Sequence, residues 1–164
     1  MKGHRMGNWK KKYRLLWIAA AVFYGLFLLN YVAYGRPVVP DEAKTLVESH
    51  VNAQVSFDKA ALARLTHSQY FEISPVGEFD VREKMLGFYD TPRNGPGPEV
   101  NIQGWEYRQF GPQGMVSAKL VFKMRAGEQI REFAMRGTYL LCDEAGQLKI
   151  CSATYTPMTP RRGS

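Results

Sequence analysis

The feature that most constrains this sequence is an uncharged run of 20 residues near its start. Residues 15–34 read LLWIAAAVFYGLFLLNYVAY and contain no acidic or basic side chain. About 20 helical residues span the roughly 30 Å hydrocarbon core of a bilayer. A helix also satisfies its own backbone polar groups, as lipid requires. The run therefore predicts a single transmembrane helix over residues 15–34.

The residues around this run support the same interpretation. Aromatic side chains suited to the two membrane interfaces flank it, namely Tyr13, Trp17, Tyr31 and Tyr34. Pro37 and Pro40 prevent the helix from continuing unchanged. Ala21 and Gly25 form a small-xxx-small pair, which would let a second membrane helix approach closely, although such residues are also common in membrane helices generally.

Charge predicts the orientation of the span. Residues 1–14 carry six basic side chains and no acidic one, whereas Arg36 and Lys44 beyond the span are matched by Asp41 and Glu42. The positive-inside rule then places residues 1–14 in the cytoplasm and the rest of the chain outside it. For a bacterial inner membrane, the C-terminal domain is periplasmic. The alternative is a cleaved signal peptide, but its apolar region is usually only about 7–15 residues long, and Ala33-Tyr34-Gly35 is an imperfect cleavage site.

The basic tail also explains the formal net charge of +7. Without residues 1–14, the chain has 16 basic and 15 acidic residues. A protein that binds DNA or RNA normally carries its positive charge on the folded surface that meets phosphate. We therefore expect no nucleic-acid partner.

The remaining chain reads as helices followed by strands. Residues 35–40 are a short linker, and apolar spacing predicts helices over 41–55 and 58–66. A strand over 69–74 and a third helix over 81–89, which a capping box at Asp80 and Glu83 would begin, come next. After a Pro/Gly-rich loop at 91–99, alternation predicts strands over 101–110, 115–124, 128–141 and 148–155. This order predicts an α+β domain over 41–158, with about three helices on an antiparallel sheet, and a tail over 159–164.

Several of these segments resemble the nuclear-transport-factor-2-like superfamily, in particular its polyketide-cyclase-like and small stand-alone branches. The similar stretches are residues 58–77 (DKAALARLTHSQYFEISPVG), 82–89, 136–141, 146–150 and 155–158. The resemblance implies a cone in which a curved sheet wraps a helix around an apolar pocket. Members include isomerases, cyclases, dehydratases and adaptors without catalysis, so the fold alone does not give the function. One branch, an assembly component of type IV secretion machines, has the same order of tail, span and outer domain.

Enzymes of the superfamily use a pocket acid, often beside a Tyr or His. The candidate pocket residues here are Tyr70, Glu72, Tyr89, Trp105, Tyr107 and Tyr139. Alternation along the first strand favours Phe71 and Ile73 as core residues, which would turn Glu72 towards solvent. No acid-plus-His motif stands out, so no catalytic residue is predicted.

No metal site or cofactor is predicted either. His4, His50 and His67 lack the spacing of a ligand pair, and His50 falls on the apolar stripe of the first helix. Cys142 and Cys151 flank the last hairpin. A two-residue turn at Ala145-Gly146 would place the cysteines diagonally, about 7–8 Å apart, whereas a four-residue loop would place them opposite each other. The sequence leaves both a disulfide and free thiols open.

The favoured function is a non-enzymatic accessory or assembly subunit of a multi-protein membrane complex, of the secretion, respiratory or light-harvesting type. Its partners would be the bilayer and other membrane proteins, with the outer domain docked on the complex and the helix beside partner helices. The alternative is a membrane-tethered small-ligand-binding protein or an isomerase- or cyclase-like enzyme that uses the cone. A homodimeric scaffold is a third possibility, which an apolar patch on the outer face of the sheet would support.

Overall fold

The computed structural model describes residues 17, 20–24, 37–91, 95, 97–127 and 129–159. The chain divides into two units, residues 1–36 and residues 37–164. The described residues of the first unit are helical, and Trp17 and residues 22–24 have exposed side chains. Ala21, of the predicted packing pair, lies in this helical stretch.

The predicted membrane span falls mostly on residues that the structure does not describe. Gly25, Tyr31 and Tyr34 lie outside the described residues, as does Tyr13 before the span. Among the residues that are described, none of the helices has the length and apolar character needed to cross a membrane. The membrane helix therefore stays a prediction.

The second unit begins with two consecutive helices. Helix α1 spans Pro40–Ser56, with a proline and two acidic residues in its first turn, and ends at Phe57 in the left-handed conformation. Helix α2 spans Lys59–Leu65, and the Asp58 side chain accepts a hydrogen bond from the Ala61 N–H at 2.8 Å. Both helices match the predicted ones closely.

A third, short helix, α3, spans Arg82–Gly87, within the predicted range of 81–89. The predicted capping box is wrong, because Val81 is the N-cap residue and no side chain caps the helix. Asp80 instead lies in a three-residue strand, where it pairs with Glu72. A strand this short offers too little alternation to be recognised in the sequence.

Six strands form one sheet. They are β1 (Thr66–Ile73), β2 (Phe79–Val81), β3 (Glu99–Phe110), β4 (Gln113–Ala126), β5 (Gln129–Glu144) and β6 (Gln147–Met158). Their order across the sheet is β2-β1-β6-β5-β4-β3. The last four strands of the sequence form an antiparallel meander, as the alternation predicts.

The sheet is mixed rather than fully antiparallel, which corrects the prediction. Strand β1 runs parallel to β6 and antiparallel to β2. Parallel strands need a long crossover connection, and the chain between β1 and β6 supplies one that includes α3 and four strands. The period-2 pattern of a strand does not reveal the direction of its neighbour.

One face of the sheet, which we call the inner face, carries the core. Side chains on this face pack with the helices into one cluster that includes Val47 and Val51 of α1, Leu62 of α2 and Met85 of α3. The strands contribute Leu120, Tyr139, Leu141, Ile150 and Tyr155. The opposite, outer face carries the alternate residues.

The Pro/Gly-rich loop returns to α1. Gly97 lies so close to the end of this helix that a Cβ atom there would overlap the Val55 carbonyl oxygen. Real Cβ atoms do not approach backbone oxygens this closely, so the contact requires glycine at position 97.

Candidate functional site

The inner face of β1 carries a buried acid. Glu72 is only 7% exposed, and Tyr70 beside it on the same face is 1% exposed. The expectation that Glu72 faces solvent is therefore wrong. Phe71, expected in the core, lies on the outer face at 38% exposure and stacks on Phe79 of β2, with ring centroids 5.0 Å apart. An aromatic partner on an edge strand allows Phe71 to face outward.

Tyr70 and Glu72 form a hydrogen-bonded pair. The Tyr70 hydroxyl donates to Glu72 Oε2 at 2.6 Å. Burial raises the pKa of Glu72, the hydrogen bond from Tyr70 lowers it in part, and the negative charge of Asp80 raises it further. Burial likewise raises the pKa of Tyr70 well above its ordinary value. The pair can therefore hold a proton in the interior at a higher pH than an exposed carboxyl group can.

Asp80 is the second acid of this region. It is 1% exposed and lies directly across from Glu72 in the ladder between β1 and β2. Lys84 Nζ of α3 is 2.5 Å from Asp80 Oδ1, and this ammonium group is itself largely exposed. Lys84 therefore neutralises Asp80 from the solvent side, while Glu72 has no cation beside it among the described contacts.

His50 lies beside the pair and is fully buried. Its ring centroid is 6.2 Å from that of Tyr70 and 5.9 Å from that of Tyr139. Within the described part of the chain, neither His50 ring nitrogen has a hydrogen-bond partner. Burial lowers the pKa of His50 to about 3, so the ring is neutral and offers one N–H donor and one acceptor to the interior.

Two further tyrosines extend the site. Tyr139 of β5 and Tyr155 of β6 meet edge to face at 6.1 Å, and Gln54 Nε2 of α1 donates to the Tyr155 hydroxyl at 2.9 Å. Burial raises the pKa of both tyrosines. Gly137 leaves room for Tyr139, because a Cβ atom there would be 2.8 Å from the Tyr139 hydroxyl oxygen.

Tyr89, which follows α3, completes this arrangement. Its ring meets that of Phe57 at 5.2 Å. Burial, followed by the charge of Glu72, raises its pKa to about 12. We define the interior cluster as His50, Gln54, Tyr70, Glu72, Tyr89, Tyr139 and Tyr155.

The structure thus brings together four of the six candidate pocket residues. Trp105 and Tyr107 of β3 lie elsewhere, beside the start of α1. Lys44 Nζ is 5.5 Å from the Trp105 ring centroid, and the Tyr107 hydroxyl donates to the Val38 carbonyl oxygen at 2.6 Å. These two residues fix the start of α1 and the residues before it against β3, so their contacts are structural.

Sequence reasoning did not select Gln54, Asp80 or Tyr155 for the site, and it treated His50 only as a packed residue. Three of these four positions did carry a signal, and Tyr155 carried none. A polar residue on an otherwise apolar helix stripe marks Gln54 and His50, and an Asp four residues before a Lys marks Asp80. None of these signals indicates which elements meet in space.

Cys142 and Cys151 are joined by a disulfide, with Cα atoms 6.0 Å apart. The tight turn at Ala145-Gly146 forms as in the first alternative, and Cys142 lies opposite Lys149. A register shift between Leu140 and Leu141 then leaves Cys151 as an extra residue on β6. This bulge brings the cysteines closer than the diagonal spacing of a regular ladder. His67 lies next to the two cysteines, and the three residues form a group of possible metal ligands. The positions of these residues in the sequence do not indicate that they meet.

Comparisons with known proteins support the fold. No protein-family model matches the sequence. No curated protein matches it either. Solved structures do match, among them an NTF2-like protein from Cytophaga hutchinsonii, with 18% identity, a TM-score of 0.62, and coverage of 72% of this chain and 97% of that one.

Two other structures are similar to the same extent. The CaMKII hub of S. rosetta has 15% identity and a TM-score of 0.64, covering 75% of this chain and all of that one. An NTF2-like protein from Rhodospirillum rubrum has 13% identity and a TM-score of 0.59, covering 71% and 98%. The domain therefore has an NTF2-like fold. At these identities the likeness concerns the fold alone.

Proposed function

We propose that the domain binds a small molecule at the interior cluster and exchanges a proton with it through Glu72. The observation that carries this proposal is the buried Tyr70–Glu72 pair beside a fully buried His50 whose ring nitrogens have no partner among the described residues. Buried polar groups are nearly always hydrogen-bonded, and an exception calls for an explanation. A ligand that donates to and accepts from these groups supplies one.

The chemistry of the cluster favours a neutral or cationic ligand with an aromatic or apolar body. Among the described contacts the cluster offers no cation to an anion, because the nearest one, Lys84, is already paired with Asp80. The four tyrosine rings offer flat apolar surface and π faces, which suit a planar or cationic group. A carboxyl group with a raised pKa can act as a general acid or base near neutral pH. An isomerase- or cyclase-like reaction is therefore compatible with the site.

A ligand screen tests this proposal. The full chain is purified in mild detergent and screened with neutral and amine-bearing aromatic compounds by thermal shift, followed by calorimetry on the compounds that bind. Binding should weaken at least tenfold in Glu72→Gln and Tyr70→Phe, and it should be unchanged in Glu106→Gln, whose carboxylate is exposed on β3. Equal affinity in all variants would reject the interior cluster as the site.

We also propose that the chain is a membrane-anchored accessory subunit of a larger complex, with its domain on the periplasmic side. The uncharged run over 15–34 and the basic tail support the anchor. Four apolar side chains on or beside β1 and β2 support a protein contact: Phe71, Val76, Phe79 and Val81, which are 38%, 83%, 58% and 47% exposed. Exposed apolar groups that lie together commonly mark an interaction site.

Affinity purification from the native membrane in mild detergent tests this second function. Co-elution with a fixed set of membrane proteins would support it, and replacement of Phe79 by Ser should then release the partners. Recovery as a lone monomer would contradict it. Recovery as a homodimer that Phe79→Ser dissociates would instead assign this surface to a second copy of the chain.

A further inference from the structure

Two irregularities of the sheet lie next to each other on strands β1 and β6. Cys151 is the extra residue of the β6 bulge, and the pairing of β1 with β6 shifts register between Thr66 and Phe71, the segment that contains His67. Bulges redirect side chains and are over-represented next to functional sites. Here they bring side chains from three neighbouring strands together.

The result is a compact group of soft ligands. An imidazole nitrogen of His67 and the sulfur atoms of Cys142 and Cys151 all lie within 4.8 Å of one another. All three side chains are partly buried. In the disulfide state the two sulfur atoms are bonded to each other, so they cannot bind a metal ion.

Glu144 orients the histidine. The Gln69 N–H donates to His67 Nδ1 at 3.0 Å, so Nδ1 carries no proton and the neutral ring has its proton on Nε2. Nε2 faces Glu144 Oε1 at 3.6 Å, and the Ser68 N–H holds the same oxygen at 2.9 Å. A metal-binding histidine usually donates its second N–H to a carboxylate or carbonyl group, which fixes its tautomer. In His67 the Nε2 side of this arrangement is in place, with Glu144 Oε1 as its polar neighbour, whereas the Gln69 N–H occupies the Nδ1 lone pair that a metal ion would take.

We propose that reduction of the disulfide converts this group into a binding site for Zn²⁺ or a similar divalent ion. Cys142, Cys151 and His67 are the three protein ligands, and water takes the fourth position. His67 binds through Nδ1, which releases the Gln69 N–H to solvent, while its Nε2–H stays directed at Glu144. A phosphine reductant and one water break the S–S bond and yield two thiols and the phosphine oxide. The metal ion then replaces two thiol protons, which are released.

The geometry suits this ion. Zn–S bonds of about 2.3 Å and Zn–N bonds of about 2.0–2.1 Å in a tetrahedral site require ligand atoms that lie only a few ångströms apart. The group already meets this requirement, and breaking the S–S bond lets the sulfur atoms separate. The disulfide and the metal ion exclude each other, so the redox state of the cysteines decides which one is present.

Cobalt titration tests the proposal. The full chain, in mild detergent and with any affinity tag removed, is reduced with a phosphine, freed of reductant without oxygen, and titrated with Co²⁺ and then Zn²⁺. We expect one Co²⁺ per chain, with the intense d–d bands of a tetrahedral site and thiolate-to-cobalt charge transfer, both lost when Zn²⁺ is added. The oxidised protein should show neither band.

Variants separate this site from adventitious binding. Cys142→Ser should abolish the charge-transfer band at stoichiometric Co²⁺, while His67→Ala and Glu144→Gln should weaken binding at least tenfold. Glu106→Gln, on the distant strand β3, is the matched control and should bind as the wild type does. Absence of the bands in the reduced protein would overturn the proposal, as would a spectrum and an affinity that His67→Ala leaves unchanged.

Discussion

At the scale of single residues, the interior cluster contains two titratable groups that burial affects in opposite directions. Burial holds His50 neutral by lowering its pKa to about 3, and it favours the neutral acid form of Glu72 by raising its pKa. Both shifts remove charge from the interior, because a buried ion loses its hydration. The two residues should therefore make the stability of the domain depend on pH with opposite signs.

For His50, stability should fall on acidification. The unfolded chain takes up a proton on this histidine near pH 6.5, whereas the folded chain does so only near pH 3. The contribution of His50 is present above pH 6.5 and declines by about 1.4 kcal/mol per pH unit below it. Urea unfolding of wild type and His50→Leu between pH 7 and pH 4.5 should show a difference that grows in favour of the variant. A constant difference would mean that His50 is accessible to protons in the folded state.

For Glu72, stability should fall as the pH rises. Its folded pKa is raised above its ordinary value of 4.5, so its contribution is present below pH 4.5 and is lost as the pH rises through the folded pKa. Glu72→Gln keeps an acceptor for Tyr70 and cannot ionise. In thermal unfolding, the stability of the variant relative to the wild type should increase between pH 4.5 and pH 8. A decrease over this range would mean that Glu72 is solvated in the folded domain.

At the scale of elements, helical spacing predicted α1 and α2 of the second unit, and the residue pattern predicted its strands except the three-residue β2. The third helix was predicted from a capping box that the structure does not contain. Alternation also predicted the four consecutive strands that form the antiparallel meander, and the order of these strands across the sheet came only from the structure. Alternation failed for the orientation of β1, because Tyr70-Phe71-Glu72-Ile73 has an aromatic residue on each face, and local pattern cannot decide which one faces the core. That decision depends on Phe79, Val81 and Asp80, which lie across the ladder, so the interior cluster could not be assembled from the sequence.

The loop after α3 contacts the end of α1 at Gly97, a position where only glycine fits. A Cβ atom at position 97 would meet the backbone oxygen of Val55. Gly97→Ala should therefore destabilise the domain by about 1–3 kcal/mol, as overpacking usually does. Gly87→Ala is the matched control, because Gly87 ends helix α3 and the nearest atom to a Cβ there is 4.0 Å away.

Chemical denaturation of both variants measures this difference. The control should be neutral or slightly more stable than the wild type, since alanine is favoured over glycine in a helix. Equal stability of Gly97→Ala and wild type would show that the loop does not rest against α1.

At the scale of the whole molecule, the chain separates into residues 1–36 and residues 37–164. The second unit contains the complete sheet, its three helices and the core cluster. A unit with its own core can in principle fold alone.

A fragment spanning 37–164 should therefore unfold in one cooperative transition and remain in solution without detergent. Calorimetry and near-ultraviolet circular dichroism check the folding, and flotation on liposomes compares the fragment with the full chain. The full chain should float and the fragment should not. If both float, the domain itself binds membranes. If neither floats, residues 1–36 do not anchor the chain, and this part of the proposed function is wrong.

The order of strands has a consequence for how the protein is made. Strand β6 is the last of the six strands to be synthesised, yet it lies between β1 and β5 and joins the β1–β2 pair to strands β3–β5. Strand β1 must wait for a partner that begins more than 70 residues later, and such distant pairings form slowly. Until β6 has left the ribosome, the chain has two separate pieces of sheet with open edges, which are prone to aggregate. A ribosome that stops before β6 would thus release an incomplete sheet and not a slightly smaller domain, so the arrival of β6 is the step that commits the domain to folding.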